Sequence, residues 1–300
     1  MFLEVLSKFA SESLLSLYPI FVKKIGISSS LQLWTRLITY VSISIFFVNW
    51  SFIKSSLFTL DSLTLGLVNL SHVFFSYEGF RNLDSGVSFA IFNSYPLMIL
   101  LLAGTMWHNS YLLVILGLAF FIYGNYAEKS DIKEKKEKKE KKETKEDEAK
   151  DAAKAKEKES FSYGLIMILL AALTEALIYF LVRRIKTTNN WNHVFISYFL
   201  GAVLMTAYSI YNYADISLGL DKARVGLAII INGIIGTVGY FLRFFASYRL
   251  EPEVYAPLSY FGVVMSYVYG ISFDNELLNW KKVLGTVSIL ASNYFAPKGV

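Results

Sequence analysis

The chain has 300 residues, 54% hydrophobic and 16% aromatic, with a formal net charge of +5. Once a charged central run is set aside, this is more apolar surface than a soluble core can hide, which excludes an ordinary soluble domain. There is no cysteine, which excludes a disulfide framework, a thiolate nucleophile and a zinc-thiolate site.

Ten apolar segments are long enough to cross or nearly cross a hydrocarbon core, which takes about 20 helical residues. In chain order they span 2–22, 31–50, 60–80, 84–104 and 110–127, then 161–182, 192–213, 223–247, 252–271 and 279–296. All are expected to be helices, because an isolated hairpin cannot satisfy its backbone in lipid. The first lacks a basic n-region and a cleavage site, so it reads as a retained span and not a signal peptide. Asp84 is expected to cap one helix, and Pro252 to sit in the first turn of another. Short connections make the segments antiparallel neighbours in an all-α integral membrane bundle.

The run 128–160 holds 13 Lys and 12 Asp/Glu and separates two apolar halves, 1–127 and 161–300. Its composition suits either a solvated helix laced by Glu–Lys pairs or a disordered linker. Sliding one half over the other gives matches in order. Leu65-Gly-Leu67 meets Val225-Gly-Leu227, Leu116-Gly117 meets Leu284-Gly285, and Asn125-Tyr126 meets Asn293-Tyr294. Five spans per copy put the second copy upside down relative to the first. Two inverted five-helix repeats are a common architecture of alternating-access transporters, with the substrate site between the halves.

Polar residues inside such spans should face an interior or a cavity. Segment three carries Asn69, His72, Ser76 and Gly79 at spacings that share one helical face. Segment eight carries Asn232, Gly236, Gly239 and Arg243 at similar spacings, and the two stripes are expected to form opposing walls of a central path. Tyr95 beside Pro96, and Tyr255 and Tyr260 around Pro257, join the substrate-pathway candidates. Glu12 and Glu175 occupy corresponding places in the two repeats and are candidates for carrying a coupling proton. Arg36, Arg81 and Arg243 are expected near the interfaces, with Arg243 the best placed of them to meet an anionic group. Most tyrosines are expected in interfacial belts. No Gly-rich phosphate loop or metal-spaced histidine pair is present, so no enzyme chemistry, metal or cofactor is expected.

Leu17-Tyr-Pro-Ile-Phe-Val-Lys23, Trp34-Thr-Arg36, Ala256-Pro-Leu-Ser-Tyr260, Phe273-Asp-Asn-Glu276 and Lys282-Val-Leu-Gly285 carry a family resemblance. The chain resembles EamA-like members of the drug/metabolite transporter superfamily over nearly everything except the charged run. The first half departs at Trp107-His108-Asn109, where the resemblance implies a Glu. It implies ten helices in two repeats and a secondary transporter or exchanger of a small polar metabolite, with protons as candidate coupling ions.

The expected partners are therefore the lipid bilayer and a small solute, with a second copy of the chain as a candidate homodimer partner and no nucleic acid. The alternative reading is a non-transporting scaffold or receptor that recruits a partner through the charged run. The resemblance implies cytoplasmic termini, whereas the 13 Lys of the run favour a cytoplasmic run by the positive-inside rule.

Overall fold

A computed structural model describes residues 2–102, 110–137, 147–212, 221–250 and 252–295. The first half contains α1 (Phe2–Leu15), α2 (Tyr18–Lys24), α3 (Ser29–Ser44), α4 (Trp50–Ser56), α5 (Leu60–Asn82), α6 (Ser85–Phe92), α7 (Tyr95–Leu102) and α8 (Ser110–Glu137). After it come α9 (Asp147–Arg184), α10 (Asn190–Tyr211), α11 (Lys222–Ile231), a π-helical stretch (Asn232–Thr237), α12 (Val238–Arg249), α13 (Pro252–Asp274) and α14 (Trp280–Tyr294). The described parts of the charged run continue α8 and α9 as helix. The Trp107-His108-Asn109 departure and Glu251 lie outside the described residues.

Local chemistry sets many of the helix starts. The side chains of Ser28, Asn49, Thr59, Asn189 and Asp221 each accept a backbone N–H from the following turn. Asp84 does not. A carboxylate from the other half, Glu276, takes the first amide of α6, accepting from the Ser85 N–H at 2.7 and 2.9 Å. Asp84 instead pairs with Lys282 at 2.6 Å. The loop expected after residue 50 contains α4, which meets α5 at 92°.

By length and composition, the described residues contain four helical stretches able to cross a membrane: Phe2–Lys24, Ser160–Arg184, Asn190–Tyr211 and Lys222–Arg249. The bent pair α4–α5 makes a fifth if taken as one span. Other predicted segments form shorter helices: α3 has 16 residues, α14 has 15, and Asn93-Ser94 separates α6 from α7. The outer surface is apolar, with Phe2, Phe46, Leu112, Ile115, Ile230 and Val287 exposed, while Lys8, Glu12, Arg36, His72 and Arg243 are buried. Apolar outside and charged inside is the arrangement a bilayer solvent selects.

Side-chain contacts distinguish two ends of the bundle. At the end nearest the charged run, Lys23 reaches Glu276, Ser160 bonds to Asn82, and Arg224 donates to the Gly26 carbonyl. At the opposite end, Arg184 meets Asp61 and Asn189 donates to the Phe47 carbonyl.

The helix neighbours come in pairs that interchange when the halves are exchanged. Helix α5 packs on α9 as α1 packs on α12. Helix α10 packs on α5 as α3 packs on the π stretch and α11, and α13 packs on α1 as α6 and α7 pack on α9. Three pairs map onto themselves, α3 with α10, α8 with α14, and α6 with α13. In the second of these, Gly117 and Gly285 face each other. A Cβ on Gly117 would lie 2.8 Å from the Gly285 carbonyl oxygen, and one on Gly285 3.0 Å from that of Gly117. Only two glycines let these backbones come so close.

Candidate functional site

The buried charges gather where α1, α5, α9 and α12 meet. Lys8 and Glu12 lie one turn apart on α1, both buried, and form an ion pair. Arg243 of α12 places Nη1 at 3.3 Å from Glu175 Oε1 on α9, and Nη2 at 4.0 Å from Glu12 Oε1. Its Nε donates to the Tyr255 hydroxyl of α13 at 3.4 Å. The Lys8 ammonium sits 3.7 Å above the centre of the Tyr255 ring. Each ion therefore has a partner, as burial of charge requires.

His72 closes the cluster from α5. Its Nδ1 lies 3.1 Å from the Ala171 carbonyl and 3.2 Å from Thr174 Oγ1, and that hydroxyl donates to backbone carbonyls. Both neighbours act as acceptors, so Nδ1 carries the ring proton. Nε2 then faces Glu175 Oε2 at 3.5 Å. A neutral ring presents a lone pair to the carboxylate there, and one added proton turns the contact into an ion pair.

Arg36 of α3 is arranged differently. It is 1% exposed, and its guanidinium lies among four tyrosine rings, with centroid distances of 4.8 Å to Tyr18, 5.5 Å to Tyr40, 5.4 Å to Tyr77 and 4.8 Å to Tyr240. The Tyr18 hydroxyl donates to Asn232 Oδ1 at 2.7 Å and lies 2.7 Å from that of Tyr40. Gly236, in the π stretch, makes room for both hydroxyls, since a Cβ there would overlap them.

Three small cavities share walls across the bundle. One of ≈ 10 Å³ lies toward the charged-run end, lined by Gln32, Thr35, Tyr77, Ala228 and Asn232. One of ≈ 20 Å³ lies at the centre, lined by Arg36, His72, Ser76, Tyr240 and Arg243. One of ≈ 40 Å³ lies toward the other end, lined by Asn69, Tyr95, Glu175, Arg243, Ser247 and Tyr255. Tyr18 borders the first two, and Tyr240 and Arg243 border the last two. At about 10–15 Å³ per water, each holds at most a few water molecules.

The structure thus brings Glu12, Asn69, His72, Ser76, Tyr95, Glu175, Arg243 and Tyr255 to two neighbouring cavities or to the ion cluster between them. Asn69 donates to the Ser197 carbonyl at 3.0 Å, and the Tyr95 hydroxyl lies 3.3 Å from Ser259 Oγ. Asn232 stands apart. The π-helical turn breaks the expected register of segment eight, so Asn232 bonds to Tyr18 and lines the outer cavity while Arg243 lines the inner two. Tyr260 is half-buried and lines none of the three cavities.

The interfacial expectation fails for Arg36 and Arg243. Both are buried, held by aromatic faces and by carboxylates respectively. Lys8 and the tyrosine cage were missing from the sequence reading. The four-residue spacing of Lys8 to Glu12 was the signal for the first.

An all-helical bundle with lipid-compatible helices and a charged interior defines an integral, multi-pass membrane protein. Residues 162–296, the second half, match the model of the EamA-like transporter family, consistent with the drug/metabolite transporter superfamily. The match covers 135 of the 300 residues, and over that half the chain is similar to the family. A crystal structure of a protein 12% identical in sequence matches with a TM-score of 0.54, covering 97% of this chain and 95% of its own, which speaks for the fold alone. None of the curated proteins matches.

Proposed function

We propose that the protein is a secondary transporter or exchanger of a small polar metabolite, working by alternating access between two inverted five-helix repeats. The single observation that carries this reading is the row of three cavities, interrupted by Tyr18 and by Tyr240–Arg243 and flanked by ion pairs that join the two halves. The interchangeable helix contacts and the facing Gly117–Gly285 pair support the inverted repeat. A row of separated cavities is what an occluded pathway leaves when neither end is open.

The charged-run end carries the denser closure. Lys23 holds Glu276 at 2.7 Å and Asp274 at 3.2 Å, Lys24 holds Asp274 at 3.3 Å, and Lys282 holds Asp84 at 2.6 Å. Every one of these pairs crosses between the halves. Asn275, at φ +53°, turns the chain beyond α13 so that the Glu276 carboxylate reaches Ser85. Rocking of one half on the other would have to break this set before solute could leave by that end.

His72 and Glu175 supply the coupling site in this reading. They come from different halves and hold either no added proton or one, and Arg243 senses which through its own contact with Glu175. Purified protein in liposomes should accumulate at least one small polar solute, with proton movement across the same membrane. A folded protein that moves no solute in a broad metabolite screen, and no protons, contradicts the proposal.

A further inference from the structure

Arg36 has no carboxylate to match its charge. Its Nε and Nη2 are buried with no hydrogen-bond partner among the described residues. The rings of Tyr18, Tyr40, Tyr77 and Tyr240 offer π-faces, which attract the cation but accept no directed hydrogen bond. Tyr198 packs edge-on against Tyr40, with ring centroids 4.5 Å apart and planes 70° to each other. Orphaned buried donors are uncommon in native proteins and call for an acceptor.

The charge count points the same way. Among the described residues of the central cluster, Lys8, Arg36 and Arg243 are cations and Glu12 and Glu175 are carboxylates, so one positive charge remains with His72 neutral. The central cavity receives Arg36, Arg243 and His72 from three helices, and none of the residues lining it is a carboxylate. Ser76 and Tyr18 add hydroxyls to the same wall.

We propose that this cavity binds an oxyanion, the carboxylate or phosphate group of the transported solute, with the Arg36 guanidinium as its principal ligand. The inference rests on the transporter reading and narrows it to anionic solutes. A planar guanidinium with two free donor atoms matches two oxygens of one carboxylate or phosphate, which a lone chloride cannot reproduce. The tyrosine rings hold Arg36 away from Glu12 and Glu175, so its donors stay available. At ≈ 20 Å³ the cavity must widen to admit the group, and Tyr240 and Arg243, which also wall the ≈ 40 Å³ cavity, are the side chains whose movement would join the two spaces.

The test is binding in detergent solution, which requires no transport. Thermal unfolding of the purified full chain is followed while inorganic phosphate, pyruvate, glucose or chloride is titrated at matched ionic strength. Phosphate or pyruvate should raise Tm in a saturable way, and glucose and chloride should not. In Arg36→Gln the ligand-free protein should be as stable as wild type or more so, because a buried unpaired charge is gone, and the oxyanion shift should vanish. Arg36→Lys keeps the charge but loses the fork, and should bind about tenfold or more weakly. This variant decides the matter if Arg36→Gln does not fold. Absence of any oxyanion shift in wild type, a shift with chloride alone, or an undiminished shift in either variant overturns the proposal. A transporter of neutral solutes would give the first of these results and still move solute in liposomes, so failure here is distinct from failure of the transporter reading.

Discussion

His72 of the first half directs Nε2 at Oε2 of Glu175 in the second, 3.5 Å away, while its Nδ1–H is committed to the Ala171 carbonyl. The contact joins the halves through a site whose hydrogen bonding depends on one proton. His72→Gln should flatten the pH dependence of uptake and of accompanying proton flux while leaving counterflow of preloaded solute measurable. Initial rates in proteoliposomes check this, and an unchanged pH profile removes His72 from coupling.

Arg243 links Glu175 to Glu12, so its removal strands charge. Arg243→Gln leaves Glu175 without a cation in contact, and breaking a buried pair from one side costs about 3–5 kcal/mol. The variant should unfold at markedly lower temperature. Adding Glu175→Gln to it should recover much of the loss, because the stranded carboxylate is then neutral. A double-mutant cycle in thermal unfolding tests the coupling. Simple additivity of the two single changes would show that the contact at 3.3 Å contributes little.

Glu276 ties the two halves together at the charged-run end through Lys23 and the Ser85 amide. Glu276→Gln weakens every one of those contacts. Ala228 lines the small cavity behind that end and is buried, and the chain has no native thiol. A cysteine at position 228 should react slowly with a hydrophilic maleimide in the parent, and about tenfold faster with Glu276→Gln added, the factor for a shift of about 1.4 kcal/mol in the closed-to-open balance. Equal labelling rates would mean that these ion pairs do not control access.

Gly117 and Gly285 let α8 and α14 touch backbone to backbone. Valine at either position forces the helices apart, and overpacking of this kind costs about 1–3 kcal/mol. Gly285→Val should lower the unfolding temperature, and the double variant should fall by less than the sum of the singles, because one displacement accommodates both. Unaltered thermal stability would contradict the packing described here.

Much of the cluster was legible in the sequence because carboxylates and a histidine are conspicuous inside apolar helices. Asn69, His72 and Ser76 share a face through spacings of three and four, and the structure buries all three together. The features that escaped depend on contacts between helices. Arg36 looks like an interfacial base in α3 alone, and its cage comes from rings on α2, α3, α5 and α12. Asp84 has the local chemistry of a cap, but a carboxylate 192 positions away takes the Ser85 amide instead. The stripe on segment eight assumed an unbroken α-helix, and the π turn at Asn232–Thr237 rotates Arg243 relative to Asn232. Lys8 was missed because a single base near the start of an apolar run resembles an ordinary flank.

In the proposed cycle one half moves against the other for solute to pass. Lys24 and Leu277 lie at the charged-run end, on opposite halves, and both are exposed. Cysteines at 24 and 277 can be bridged by a reducible bifunctional thiosulfonate in protein already reconstituted in liposomes. Uptake should stop on bridging and return when the bridge is reduced, with each single-cysteine control unaffected. Uptake that continues at the full rate in the bridged protein would contradict alternating access between the halves.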